Sequence, residues 1–206
     1  MKPKNLKALL IAIGFTSMSL ALANAFELTH SEESFSHPPT VEVEVDNEPF
    51  DKMMAVLTHK RCVNCHPAGD RPRQGEDSHI HNFGVMRGPD NHGVVALKCQ
   101  TCHQSENNNY SGVPGAPEWS LAPVSMAWEG LSRVEIAKSM LNRENNGDRS
   151  LEEIVEHLTE HELVLWAWEP GIDAEGNPRE KPPVSKEEYI KAVKEWAEAG
   201  AVIPEE

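Results

Sequence analysis

Basic and aromatic residues are scarce in this chain. It carries 19 Lys and Arg residues against 33 Asp and Glu residues, which gives a formal net charge of −14. A surface this acidic repels phosphate backbones, so nucleic acid is not an expected partner, and a basic protein partner or simple solubility fits the charge better. Aromatic residues make up 6% and hydrophobic residues 39% of the 206 residues. We therefore expect a modest core and a fold that is organised by more than side-chain packing.

Long hydrophobic runs are absent after residue 22. Before it, a segment with three lysines precedes a mostly apolar stretch at 8–22 and the small residues Ala23-Asn24-Ala25. This order is typical of a secretory signal peptide, and the stretch is short for a membrane span. An uncleaved anchor is the alternative. We predict that residues 1–25 are a cleaved signal peptide, that the mature protein is periplasmic and that no membrane span remains.

Removal of residues 1–25 takes away three lysines and no acidic residue, so the net charge falls from −14 to −17. Residues 26–47 are polar and acidic, and we predict a flexible arm there. Residues 48–206 are then expected to form one domain.

Cysteine is also rare, and its four copies lie in two motifs of one form, Cys62-Val-Asn-Cys65-His66 and Cys99-Gln-Thr-Cys102-His103. Two thiols at this spacing can bond the two vinyl groups of one haem, while the adjacent imidazole binds the iron. The motifs therefore predict two c-type haems. The attachment residues are Cys62, Cys65, Cys99 and Cys102, and the proximal iron ligands are His66 and His103.

Three other interpretations of the cysteines fit the two motifs less well. Two disulfides would suit an exported protein but would not explain a histidine after both pairs. A single zinc ion would leave both histidines unused, and the gap between the pairs is wide for a zinc ribbon. A thioredoxin-like dithiol would need a strand and helix context that the sequence lacks.

The sixth ligand of each iron decides whether small molecules reach it. Imidazole is a common ligand for iron, and the candidate distal ligands near the motifs are His59, His81 and His92. Methionine is the alternative, from Met86 or Met126. His157 and His161 lie four residues apart, on one helix face, and the neighbouring glutamates predict that this face is solvated.

Helical periodicity dominates the rest of the chain. An amphipathic segment spans about Glu48 to Lys60, and three helix starts carry the capping-box pattern Ser-x-x-Glu, at Ser132, Ser150 and Ser185. Gly, Pro and polar residues predict long loops at 67–98 and 104–127. We expect a mostly α fold, a small helical cytochrome c-like domain with long haem-wrapping loops and no substantial sheet.

Four stretches resemble a known family: "THKRCVNCHPAGDRPRQGED", "MRGPDNHGVVALKCQTCHQ", "GVPGAPEWSLAPVSMAWEG" and "LVLWAWEPG". They look like exported bacterial dihaem c-type cytochromes that are often labelled as an isoquinoline 1-oxidoreductase subunit. The likeness covers roughly residues 48–203. It implies the haem residues named above, histidines matching His59, His81 and His92, and a role in passing electrons for a molybdenum hydroxylase.

The expected function is electron transfer by a periplasmic protein with two covalently attached haems. Its expected partner is a redox protein, with a molybdenum hydroxylase as the candidate that the resemblance implies. We expect a non-catalytic carrier or an oxidoreductase subunit rather than an enzyme. The alternative is a haem enzyme, such as a peroxidase or a small-molecule reductase, with one open coordination site on iron.

Overall fold

The computed structural model describes residues 46–205. The predicted signal peptide at 1–25 lies outside the described residues, as does the predicted acidic arm except for residues 46 and 47. Between residues 46 and 205, no helix has both the length and the apolar character that crossing a membrane requires.

Helices carry most of the regular structure in the described range. They are α1 (Glu48–Leu57), α2 (Lys60–Val63), α3 (Arg133–Leu141), α4 (Arg143–Asn146), α5 (Leu151–Glu160), α6 (Glu162–Leu165) and α7 (Lys186–Glu198). Single 3₁₀ turns lie at Asn82–Gly84, Cys99–Thr101, Val124–Met126 and Trp166–Trp168.

Two small antiparallel sheets of two strands each lie between the first and second motifs. One pairs β1 (Arg73–Gln74) with β2 (His79–Ile80), and the other pairs β3 (Gly93–Val94) with β4 (Leu97–Lys98). The predicted mostly α fold without a substantial sheet is therefore confirmed for the described residues.

The predicted capping boxes are present at two of the three helix starts. At α3, Ser132 Oγ accepts from the Glu135 N–H, and the Glu135 carboxylate accepts from the Ser132 N–H at 2.8 Å. The same pair of bonds opens α5. At α7 only half of the box forms. The Glu188 N–H donates to Ser185 Oγ, but the Glu188 carboxylate accepts from the Ser185 hydroxyl at 2.7 Å and not from the Ser185 N–H.

The predicted amphipathic segment divides into two helices. Helix α1 ends at Leu57, and His59 adopts an extended conformation (φ −71°, ψ 150°) before α2 begins at Lys60. The His59 Nδ1 accepts from the Arg61 N–H at 3.3 Å, so this imidazole caps α2. The first cysteine motif therefore starts from a capped helix rather than from the end of a longer one.

The core forms where α1 and α5 both pack against α7. Burial of each large apolar side chain contributes about 1.5–3 kcal/mol relative to exposure. The buried side chains at this contact are Phe50, Met53, Met54 and Leu57 from α1, Ile154 and Leu158 from α5, and Tyr189, Val193 and Trp196 from α7.

Arg87 connects the loop at 67–98 with the loop at 104–127. Its side chain is buried at 5% exposure, and its guanidinium donates to the Gly69 carbonyl at 2.9 Å and to the Ala122 carbonyl. A single planar fork thus satisfies acceptors from both loops. This contact holds the polar segment at 67–98 beside the second loop without any long helix or strand.

Candidate functional site

The first motif lies at the end of α2. The Cys62 N–H donates to the His59 carbonyl, the Cys65 N–H donates to the Cys62 carbonyl at 3.1 Å, and the His66 N–H donates to the Val63 carbonyl. These successive tight turns keep two thiols and one imidazole on a short wound segment. Such a segment can offer three attachment points to a single flat group.

The second motif reaches a similar local form through a 3₁₀ turn. The N–H groups of Cys102 and His103 both donate to the Cys99 carbonyl, at 3.2 and 3.0 Å. The two motifs, 37 residues apart, therefore wind the same three side chains onto one turn.

Both motif histidines are oriented by a backbone carbonyl from a distant loop. The His66 Nδ1 lies 2.6 Å from the Met126 carbonyl oxygen, and the His103 Nδ1 lies 2.7 Å from the Pro114 carbonyl oxygen. A carbonyl only accepts, so Nδ1 carries the proton in both rings. Each Nε2 then has a free lone pair, which is the state in which an imidazole binds a metal.

A tryptophan also stacks against each of these imidazoles. The His66 and Trp128 rings are 3.6 Å apart and 11° from parallel, and the His103 and Trp119 rings are 4.5 Å apart and 7° from parallel. Stacking fixes the plane of each ring and keeps water from one of its faces. No sequence pattern had connected either tryptophan with a motif.

Burial keeps the motif imidazoles neutral. It lowers the pKa of His66 to about 4, with the Met126 carbonyl opposing this shift and the positive charge of a protonated His157 adding to it. Burial likewise lowers the pKa of His103. Both rings therefore keep a lone pair at neutral pH.

One cavity adjoins each motif. The cavity lined by Cys99, Cys102 and His103 has a volume of about 760 Å³, and the cavity lined by Cys62, Cys65 and His66 has a volume of about 300 Å³. Both volumes lie in the range of roughly 300–1,000 Å³ that is usual for cofactor sites. The two cavities share part of their wall, made by Arg61, Cys65, Ser120 and Leu121.

His81 faces His103 in the larger cavity. Their ring centres are 6.0 Å apart, and their planes are inclined by 72°. The His81 Nδ1 donates to the Asn82 carbonyl at 2.8 Å, so its Nε2 also has a free lone pair. Of the three candidate distal histidines, His81 is the one that the structure brings next to a motif imidazole.

His92 and His59 occupy different environments. His92 lines the smaller cavity, and its Nδ1 donates to the Asp90 carbonyl at 2.6 Å. His59 lines neither of the two cavities, because one ring nitrogen caps α2 and the other lies 3.4 Å from the Glu180 carboxylate. We therefore leave His59 out of the ligand set that we propose.

The prediction that His157 and His161 lie on a solvated face was wrong. Both are half-buried and line the smaller cavity together with His66. Burial, followed by the charges of His161 and Arg149, lowers the pKa of His157 to about 4. Helix α5 is amphipathic, and both histidines lie on the same apolar side as Ile154 and Leu158, opposite the glutamates.

The candidate methionines also differ in placement. Met126 is buried and lines the smaller cavity, but its clearest contact with the motif is through its carbonyl, which orients His66. Its sulfur lies 4.0 Å from the Ser139 hydroxyl. Met86 is 43% exposed at the larger cavity.

The two thiols of the first motif are unsuited to redox dithiol chemistry. Burial raises the pKa of Cys62 to about 12 and that of Cys65 to about 11, whereas a reactive dithiol needs a depressed pKa. All four cysteines lie in the described part of the chain, and none forms a disulfide. Among residues 46–205, no three His, Cys, Asp or Glu side chains converge as a metal ion held by protein ligands alone requires.

No family model, curated protein or solved structure matches this chain. The resemblance to exported dihaem cytochromes therefore stays a prediction, and the interpretation of the site depends on its residues and geometry.

Proposed function

We propose that this chain is a periplasmic electron-transfer protein with a small cytochrome c-like fold and two covalently attached c-type haems. The observation that carries the proposal is a duplicated arrangement. Each Cys-x-x-Cys-His motif borders its own cavity, and each motif imidazole is held by a carbonyl at Nδ1 and by a stacked tryptophan.

The residues at both cavities suit haem. Thioether bonds would attach one haem to Cys62 and Cys65 and the other to Cys99 and Cys102, with the two motif histidines as iron ligands. Arg73 lines the larger cavity, and its Nε is buried without a hydrogen-bond partner among the described residues. Such a donor suits the carboxylates that haem carries.

Haem, when bound, supplies a one-electron ferric–ferrous couple. The protein's own contribution is to hold the ligands. The carbonyls of Met126 and Pro114 keep the proton on Nδ1, which fixes the tautomer and raises the basicity of Nε2. Trp128 and Trp119 limit rotation of the rings and exclude water from their stacked faces.

The shared wall favours electron exchange between the two sites. Cys65 belongs to the first motif but lines both cavities, and Leu121 also lines both. Haems held in the two cavities would be neighbours across this shared wall and would supply one-electron chemistry on both of its sides. This arrangement suits a carrier that collects and delivers electrons at different surfaces.

A second imidazole in each cavity supports the carrier over the haem enzyme. His81 faces His103 in the larger cavity, while His92, His157 and His161 line the smaller one. An iron with protein ligands on both sides has no position for a substrate. A molybdenum hydroxylase remains the candidate redox partner, on the resemblance alone.

Expression in a bacterium with a c-type cytochrome maturation system tests the proposal. We expect a red periplasmic protein, cleaved after residue 25, whose pyridine haemochrome spectrum gives two haems per chain. The double variant Cys62→Ala/Cys65→Ala should retain one haem, and so should Cys99→Ala/Cys102→Ala. A colourless wild-type protein from a host that matures a control cytochrome would overturn the proposal.

A further inference from the structure

The loop that follows the second motif is held by the side chain of Asn107. The Gly115 N–H donates to the Asn107 Oδ1 at 3.0 Å, and the Trp166 Nε1–H donates to the same oxygen at 2.9 Å. On its other side, the Asn107 Nδ2 donates to the Glu169 carbonyl at 2.7 Å. Because two N–H groups face one end of the amide and a carbonyl faces the other, only one orientation of this amide satisfies all three partners.

The Gly115 N–H that Asn107 accepts belongs to the peptide group that orients His103. The Pro114 carbonyl and the Gly115 N–H are the two ends of one planar peptide unit. The Pro114 oxygen accepts the Nδ1 proton of His103 at 2.7 Å. Asn107 and His103 are therefore linked through a single peptide group, with one hydrogen bond at each end.

A second path of contacts joins Asn107 to His103 through two indole rings. Trp166, which donates to Asn107, meets Trp119 edge-on, with ring centres 4.8 Å apart and planes inclined by 84°. Trp119 is the ring that stacks on His103 at 4.5 Å. The carbonyl and the indole that orient this imidazole are thus both connected to one amide oxygen.

The surroundings leave this peptide group and this amide little room. A Cβ at Gly115 would overlap the Glu106 carbonyl oxygen, so glycine is needed for the two backbone segments to approach this closely. A Cβ at Gly171 would lie 3.1 Å from the Asn107 side chain. Close packing on both sides therefore fixes the geometry of these hydrogen bonds.

The first motif uses a backbone acceptor in the corresponding place. There the Met126 carbonyl orients His66, and the N–H of the same peptide group, which belongs to Ala127, donates to the Val124 carbonyl at 3.2 Å. At the second motif the acceptor is a side chain instead, and a substitution can change it without altering the backbone.

We propose that Asn107 is a positioning residue that tunes the haem at the second motif by polarising the Pro114–Gly115 peptide group toward His103. This inference rests on the proposed function. Hydrogen bonds in series strengthen one another, so an acceptor at the Gly115 N–H makes the Pro114 oxygen a better acceptor for the Nδ1 proton. A stronger bond at Nδ1 makes Nε2 a more basic ligand, which favours ferric over ferrous iron. Asn107 thereby lowers the reduction potential at this site.

Redox titration of the mature dihaem protein tests the inference. Asn107→Ala removes the acceptor, so one of the two potentials should rise while the other stays at its wild-type value. Asn107→Asp keeps the size of the side chain and places a negative charge on the acceptor, so the same potential should fall. Asn108→Ala is the matched control, because the Asn108 Oδ1 accepts from the N–H groups of Tyr110 and Ser111 in the same loop. Both potentials should stay unchanged in this control.

The opposite shifts distinguish tuning from a loosened loop. If Asn107 only braced the loop, Asn107→Ala and Asn107→Asp would move the potential in the same direction, and that result would overturn the inference. Unchanged potentials in both variants, or an equal shift in Asn108→Ala, would overturn it as well. In all these outcomes the protein still carries two haems, so the proposed function stands.

Asn107→Asp carries the test if the alanine variant does not fold. The second measurement is the NMR signal of the His103 Nδ1 proton in the reduced protein. A stronger hydrogen bond should move this signal to lower field in Asn107→Asp. A signal that stays in place or moves to higher field would show that the charge does not act through the peptide group, and would refute the inference.

Discussion

The imidazole rings of His81 and His103 face each other with centres 6.0 Å apart and planes inclined by 72°. Imidazole nitrogen binds a metal at about 2 Å, so two imidazoles on opposite sides of one metal have ring centres roughly 6 Å apart. Each ring donates its Nδ1 proton to a carbonyl and so keeps Nε2 free. The ring separation and the tautomers of this pair are therefore compatible with one shared metal ion.

Replacement of His81 should open the second site. In His81→Ala, one haem should lose its low-spin spectrum and bind carbon monoxide, because His79, the other imidazole that lines this cavity beside His103, is held by the Asp77 carboxylate. His79→Ala is the matched control, since the His79 side chain lines the same cavity but is 43% exposed. Magnetic circular dichroism in the near infrared distinguishes the outcomes, and an unchanged His81→Ala spectrum would refute the assignment.

Replacement of Trp128 should destabilise the fold and loosen the first site. Its ring is 4% exposed and stacks on His66, so Trp128→Ala should lower the free energy of unfolding by about 3–5 kcal/mol. Trp128→Phe should cost much less, because it keeps an aromatic face and removes an Nε1 that is buried without a partner. Urea denaturation measures both, and equal losses would contradict the stacking role.

The mostly α character of the fold and the turns that carry the two cysteine motifs were predictable because they depend on local pattern. Helix starts at Ser132 and Ser150 follow from capping chemistry within one turn, and Cys-x-x-Cys-His is read from five adjacent residues. The contact of α1 with α7 joins segments more than 120 residues apart, and no local pattern encodes it.

The groups that orient the motif imidazoles were not predictable, because they come from other segments of the chain. The carbonyls of Met126 and Pro114 act through the backbone, so their residue types carry no signal. The environment of His157 was predicted wrongly because the adjacent glutamates indicated a solvated face. The side chain instead lies on the helix face that carries the buried Ile154 and Leu158. His59 was a reasonable ligand from spacing, but its position before α2 gives its ring a capping role.

Removal of the Arg87 guanidinium should free the two loops from each other. Arg87→Ala leaves the Gly69 and Ala122 carbonyls without this donor, which should cost about 2 kcal/mol. Limited proteolysis should then cut within 67–98 much faster than in the wild type. Arg87→Lys keeps the charge without the planar fork and should fall between the two. Equal cleavage rates in all three proteins would contradict this role.

The capping box of α3 should make stability depend on acid. Hydrogen bonds from the Ser132 N–H and hydroxyl lower the pKa of Glu135 below its unfolded value, which is about 4.3. The stabilisation is therefore present above that pH and is lost as the pH falls through the lowered pKa. Glu135→Gln should lose less stability than the wild type between neutral and acidic pH. Denaturant titrations at both pH values measure this, and parallel losses would contradict it.

The central claim is that both cysteine motifs carry covalently attached haem. Intact-mass spectrometry of the periplasmic protein under denaturing conditions tests this most directly, because only covalent groups survive unfolding. We predict the mass of the chain from residue 26 onward plus the mass of two haems. A mass equal to the bare polypeptide, or lower by the hydrogens lost on forming two disulfides, would contradict the account.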